Sequence, residues 1–180
     1  PQKSPEDFIR AAALVCQRMP AAKCILVGDG ELRSRIEAMI EAEGLQGRVT
    51  LLGWRRDVPA LLKALDVFVL TSQWEGLPCA ILEARASRVP IVATRVGGAA
   101  EAIVEGIQGT LCPAGDVRAL AGRVCQILGD ARLRADLRSG SDELPEEFTI
   151  QETVKQYQSL YTYLLHSRRP AGDMMKLQPN

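Results

Sequence analysis

Two carboxylates separated by seven residues, Glu75 and Glu83, bracket a stretch where an apolar run gives way to a glycine turn and then a helix. Val67, Phe68, Val69 and Leu70 form that run, which reads as a strand buried on both faces, as in a parallel sheet. Gly76 permits a tight turn. Pro78 suits a first helical position because its missing N–H had no partner there, and Ile81, Leu82, Glu83 and Ala84 continue the helix. In an open α/β sheet the carboxyl-end crevice is where ligands bind. Between the two acids the first-turn N–H groups face outward, an anion site reinforced by the helix dipole. Acceptors beside bare N–H donors suit a ligand carrying both hydroxyls and phosphates, such as a nucleotide sugar. The plainer reading makes Glu75 a solvated loop residue and Glu83 a charge on a helix face.

Glu75-Gly76-Leu77-Pro78 followed by Leu82-Glu83 resembles the Glu-x7-Glu motif of the retaining, family 4 (group 1) glycosyltransferases, which have the GT-B fold. Val27-Gly28-Asp29-Gly30, Asp66-Val67-Phe68-Val69, Pro90-Ile91-Val92-Ala93-Thr94, Val96-Gly97-Gly98 and Pro113-Ala114-Gly115-Asp116 fall in the family's order. The resemblance implies an α/β fold with a doubly wound, Rossmann-like parallel sheet, the carboxy-terminal half of a GT-B glycosyltransferase lacking its first strand. It implies a nucleotide-diphospho-sugar donor as substrate, transfer of the glycosyl group to an acceptor with retention, and an N-terminal acceptor-binding domain outside this chain. Glu83 would accept from the ribose hydroxyls, and Glu75, the catalytic candidate, would lie near the reacting carbon of the sugar. Lys3 with the amides of Gly76 and Leu77 would hold the diphosphate, with Pro78 and Leu82 as flanking members of the donor site. Gly28 and Gly30 would line the nucleotide pocket, and Trp54 and Arg55 would hold the base. Lys3 reads otherwise as a surface lysine, the glycines as a ligand-free turn, and Trp54 as a packing residue at the domain edge.

Bulk properties bound the partners. The chain has 180 residues and no net charge, so nothing draws it strongly to nucleic acid. No apolar run approaches the roughly 18 residues a membrane span requires. Cys16, Cys24, Cys79, Cys112 and Cys125 follow no metal or disulfide spacing and read as small buried hydrophobes in a reducing compartment. The expected location is cytoplasmic, with room for a peripheral contact at the inner face of the membrane through the missing half. His166 is the sole histidine and no Asp-x-Asp pair occurs, so neither a metal site nor a cofactor is expected.

The elements that must position these residues follow in order. Ser4, with Asp7 three residues on, starts a helix whose stripe is Phe8, Ile9, Ala12, Ala13 and Cys16. Lys23–Val27 reads as a buried strand; Arg33 occupies the place of the third glycine in the dinucleotide fingerprint. Strands follow at Arg48–Leu52, Ile91–Thr94 and Gly109–Cys112, with Asp116 as a helix N-cap. Structural need and sugar contact explain Gly97 and Gly98 equally well. An arginine-rich helix is expected from Asp130 to Ser141, then a terminal helix through Val154, Tyr157, Tyr161 and Leu164 that in the family crosses back onto the partner domain. The expected divisions are 1–147 for the donor domain, 148–166 for the crossover helix and 167–180 for a disordered polar tail. Three other readings remain: an inactive binding module, a nucleotide-sugar epimerase and a dinucleotide-binding regulatory domain.

Overall fold

The computed structural model describes residues 1–140 and 145–167. The chain divides into two compact units, residues 1–143 and 144–180. In the first, helices and strands alternate: α1 (Pro5–Arg18), β1 (Cys24–Val27), α2 (Arg33–Ala42), β2 (Val49–Gly53), α3 (Val58–Ala64), β3 (Phe68–Leu70), α4 (Cys79–Ala86), β4 (Ile91–Thr94), α5 (Ala99–Ala102), β5 (Gly109–Cys112), α6 (Val117–Gly129) and α7 (Ala131–Ser139). Every strand pair is parallel, and a helix lies between each pair of successive strands, as parallel pairing demands. The α/β, parallel, Rossmann-like class is therefore as expected.

The sheet itself comes in two pieces, β1–β2 and β3–β4–β5. In the larger piece alternate residues feed opposite faces. Ile91, Ala93 and Leu111 pack with Ile81 and Ala84 of α4 and Ala99 and Ala102 of α5. Val92 and Cys112 pack instead with Leu120, Ala121 and Val124 of α6 and Ala11 and Val15 of α1. Helices on both faces make this piece doubly wound. Only the central strand β4 is buried throughout. β3 is an edge with one neighbour: Phe68 packs into one core and Val69 into the other, so both faces are covered as expected, but only Leu70 is fully buried. β1 departs further: none of its residues is buried and Val27 is 39% exposed, because only the face bearing Cys24 and Leu26 is covered.

Helix α1 joins the two pieces. Ile9, Ala12 and Cys16 pack with Ile36 and Ile40 of α2 and Val49 of β2, while Ala11 and Val15 enter the other core. The predicted stripe thus covers half of its buried surface; the second half rests on small residues that let α6 approach. Ser4 occupies the N-cap position, but in a left-handed conformation (φ 42°), and its hydroxyl caps no amide. It donates to Asp7 Oδ2 instead, at 2.8 Å. Asp116 caps α6 as expected, accepting from Ala119 N at 2.9 Å. Asp130 does the same for α7, accepting from Arg132 N and Leu133 N.

All five cysteines are free thiols, but only Cys16 and Cys112 are buried as expected; Cys24 and Cys125 are half-buried and Cys79 is exposed. Burial, reinforced by Cys16 alongside, pushes the Cys24 thiol from an ordinary value of 9.0 up to about 12. The unfolded chain therefore releases this proton from about pH 9 while the folded chain holds it until about pH 12, so stability is undiminished below pH 9 and falls as pH rises through that window. Circular-dichroism melts at pH 8 and pH 10.5 should show a smaller alkaline loss of Tm for Cys24→Ala than for the parent chain; equal losses would refute the assignment.

In the second unit a short 3-10 turn, Glu146–Phe148, leads into α8 (Ile150–His166). Thr149 caps it, accepting from Glu152 N at 3.2 Å. The Tyr157 and Tyr161 rings lie 6.1 Å apart on one face, and no residue of α8 is buried. The polar tail beyond Ser167 lies outside the described residues.

Candidate functional site

At the carboxyl end of β3 the chain passes through Thr71 and Ser72, both buried, into the Glu75 loop. The Glu75 side chain is only 6% exposed. Its Oε1 accepts from Ser72 Oγ at 2.6 Å and from Lys3 Nζ at 2.5 Å. Lys3 is thus no stray terminal lysine, and Glu75 no solvated loop residue. Thr94, at the end of β4 and fully buried, donates from Oγ1 to the Ser72 carbonyl at 2.6 Å, fixing the base of the loop.

Glu83 stands on the exposed side of α4 and, among the described residues, its side chain forms no ion pair or hydrogen bond. Its carboxylate is free to accept from a ligand. Between the acids, Gly76 and Leu77 are exposed, and their amides donate to no protein acceptor among the described residues. Pro78 is buried and occupies the N-cap of α4, with the helix starting at Cys79, one residue later than the sequence suggests. Leu82 turns the other way. It packs against the core formed by Ile81, Ala84 and Ile91, which argues against a place in the donor site.

A second loop holds the first in place. Gly98 N donates to Gly76 O at 2.7 Å. A Cβ on Gly97 (φ +45°) would lie 1.9 Å from the Glu75 carbonyl oxygen, and one on Gly98 would lie 2.6 Å from that of Gly76. Backbone contact with the Glu75 loop therefore accounts for both glycines. Arg85, 4% exposed on α4, donates to the Ala102 carbonyl at the end of α5, tying the helices that follow the two loops. A cation suits that carbonyl end.

Gly28, Gly30, Trp54 and Arg55 gather at the ends of β1 and β2, on the other sheet. Gly28 N donates to Gly53 O at 2.8 Å, and Gly30 N to Asp29 Oδ1 at 2.8 Å. Arg33, where the fingerprint glycine would stand, bridges Asp29 and Glu37 at 2.9 and 3.0 Å. Trp54 is 69% exposed with the Arg56 guanidinium 5.3 Å from its ring centre, so it is not packed within the described residues. Arg55 is engaged by Asp57 through two bonds of 2.8 and 2.6 Å, which hold the Asp57 carboxyl below its usual range. Its guanidinium is already committed, and Arg56 presents the freer cation beside the tryptophan.

The family model for glycosyl transferases group 1 matches residues 1–143. The chain belongs to that family. This group 1 chain is 32% identical over 164 residues to an Escherichia coli protein, UDP-Gal:alpha-D-GlcNAc-diphosphoundecaprenol alpha-1,3-galactosyltransferase, covering 89% of the chain and 42% of the relative. Its fold superposes on Anabaena HepE, crystallised in complex with UDP-glucose, with a TM-score of 0.82 at 30% identity, covering 90% of this chain and 46% of that one. It superposes too on the C-terminal domain of a group 1 family protein, LpcC of Francisella tularensis, with a TM-score of 0.71 at 25% identity, covering 78% of this chain and 76% of that one. The chain spans less than half the length of the Escherichia coli and Anabaena proteins. The described residues include no helix long and apolar enough to cross a membrane.

Around the Glu75 loop, Ser72, Thr94 and Arg85 were not among the residues expected to matter from the sequence. The signal available for Ser72 and Thr94 was position: polar residues directly at the ends of apolar strands, where a buried hydroxyl needs a partner. Arg85 gives no such signal.

Proposed function

We propose that this chain is the donor-binding part of a glycosyltransferase, which binds a nucleotide-diphospho-sugar for glycosyl transfer to an acceptor with retention. The observation that carries the reading is the contrast between its two acids. Glu75 is fixed by Lys3 and Ser72, while Glu83 stands free across a loop whose Gly76 and Leu77 amides are unused among the described residues. Glu83 accepts from the ribose diol. Glu75 lies against the transferred sugar and steadies positive charge growing at its reacting carbon. Lys3 Nζ and the Gly76 and Leu77 amides meet the negative charge growing on the departing diphosphate. Gly28, Gly30 and Trp54, with Arg56 rather than Arg55, receive the nucleoside. A relative of the same fold crystallised with UDP-glucose supports this ligand class.

The acceptor is bound by a second domain outside this chain, so the chain alone binds donor without transferring its sugar. The family match favours transfer over epimerisation, and Arg33 disfavours a dinucleotide. Five free thiols support a cytoplasmic location. Calorimetry of the 180-residue chain against UDP-, GDP- and ADP-sugars and NAD should give binding to one nucleoside-diphosphate series. Binding of NAD alone would overturn the reading.

A further inference from the structure

We propose that Asp7 is a positioning residue that sets the Lys3 ammonium against Glu75, acting through Ser4 and Gln73; the inference rests on the donor-site reading above. Lysine ends a flexible four-carbon stem, and the Lys3 side chain is 58% exposed. An ammonium so placed is held in one position only if its backbone is fixed, and the structure shows how that is done. Gln73 N donates to Gln2 O at 2.8 Å, Gln2 Nε2 donates to Trp74 O at 3.1 Å, and Thr71 Oγ1 lies 3.0 Å from the carbonyls of both Lys3 and Ser4. The segment before α1 is thus laced along the loop that carries Glu75.

Asp7 is the charged group beneath the lacing. Its side chain is 10% exposed. Oδ2 accepts from Ser4 Oγ at 2.8 Å and from Gln73 Nε2 at 2.9 Å; Oδ1 accepts from Arg10 Nη1 at 2.9 Å. One carboxylate therefore grips the residue after Lys3 and the residue two before Glu75. Ser4 pays for this grip in conformation: φ 42° is costly for a residue with a Cβ and persists only where its surroundings dictate it. Arg10, Ser4 and Gln73 also quiet the negative charge, so that an acid can sit beneath an anion-binding lysine without repelling its ligand.

The other role for an acid in the first turn is to favour the helix dipole of α1, which would stabilise the fold and do nothing selective to ligand. Calorimetry with nucleoside mono- and diphosphates of uridine, guanosine and adenosine separates the two. For the parent chain, the bound base series gives the reference gain from monophosphate to diphosphate. Lys3→Ala and Asp7→Ala should each weaken diphosphate binding about ten-fold while changing monophosphate binding by less than about two-fold, and the double variant should be no weaker than either alone. Gln73→Ala, which leaves α1 and its first turn intact, should reproduce the Asp7→Ala result and decides the matter if Asp7→Ala does not fold. Equal losses for mono- and diphosphate, or additive losses in the double variant, would overturn the positioning role while leaving the donor site standing. A parent chain that binds no nucleoside diphosphate would remove the donor-site reading, and this inference with it.

Discussion

Gly97→Ala should abolish measurable nucleoside-diphosphate binding while leaving a folded chain. The added methyl would fall 1.9 Å from the Glu75 carbonyl oxygen and 2.8 Å from its carbon, both backbone atoms. No rotamer change relieves a clash between two backbones, so one loop must move. The residue also sits at φ +45°, where a side chain is strained regardless of space. The β4–α5 turn is anchored by a fully buried strand behind it, whereas Trp74, Gly76 and Leu77 of the facing loop are exposed. Displacement therefore falls on Glu75, Gly76 and Leu77. A shift of about 1 Å at such a site is enough to cost roughly a hundred-fold. Gly98→Ala should act in the same direction and less severely, its nearest approach being 2.6 Å. Near-parental affinity for Gly97→Ala, measured by calorimetry, would show that the loop contact does not position the site.

Glu83→Ala is the second large effect, and its character differs. The side chain is exposed and forms no hydrogen bond or ion pair among the described residues, so the melting temperature should stay within a degree or two of the parent's. Hydrogen bonds to a charged acceptor contribute about 1.5–3 kcal/mol each, so if Glu83 holds the ribose diol as proposed, its loss should weaken donor binding ten-fold or more. The affinity for a 2′,3′-dideoxy nucleoside diphosphate should then be equally poor in parent and variant. An unchanged donor affinity in Glu83→Ala would remove the ribose role.

Local signals were legible in the sequence and non-local ones were not. β4 at Ile91–Thr94 and β5 at Gly109–Cys112 stand where an apolar run and its flanking turn residues put them, and Asp116 caps its helix because capping is decided within four residues. The Glu75–Glu83 pair was visible for the same reason, both acids belonging to one turn and one helix. The partial exposure of β1 and β3 was not legible, because composition records how apolar a strand is and not how many neighbours it has. Asp7 was visible as a partner of Ser4, yet its bond to Gln73 spans 66 positions. Arg85 would read as an ordinary basic residue near a helix end; only the packing of α4 on α5 shows its head buried against Ala102. Arg55 and Arg56 are neighbours of one residue type, and the choice between them turns on Asp57 having claimed the first.

Helix α1 is common property of two of the first unit's three cores, and the lysine that faces Glu75 lies just ahead of its first turn. Loosening either of those two cores frees α1 and, with it, the position of that cation. Ligand affinity in this protein should accordingly fade ahead of bulk melting as denaturant is added, making the grip on phosphate the earliest gauge of whether both cores are still joined.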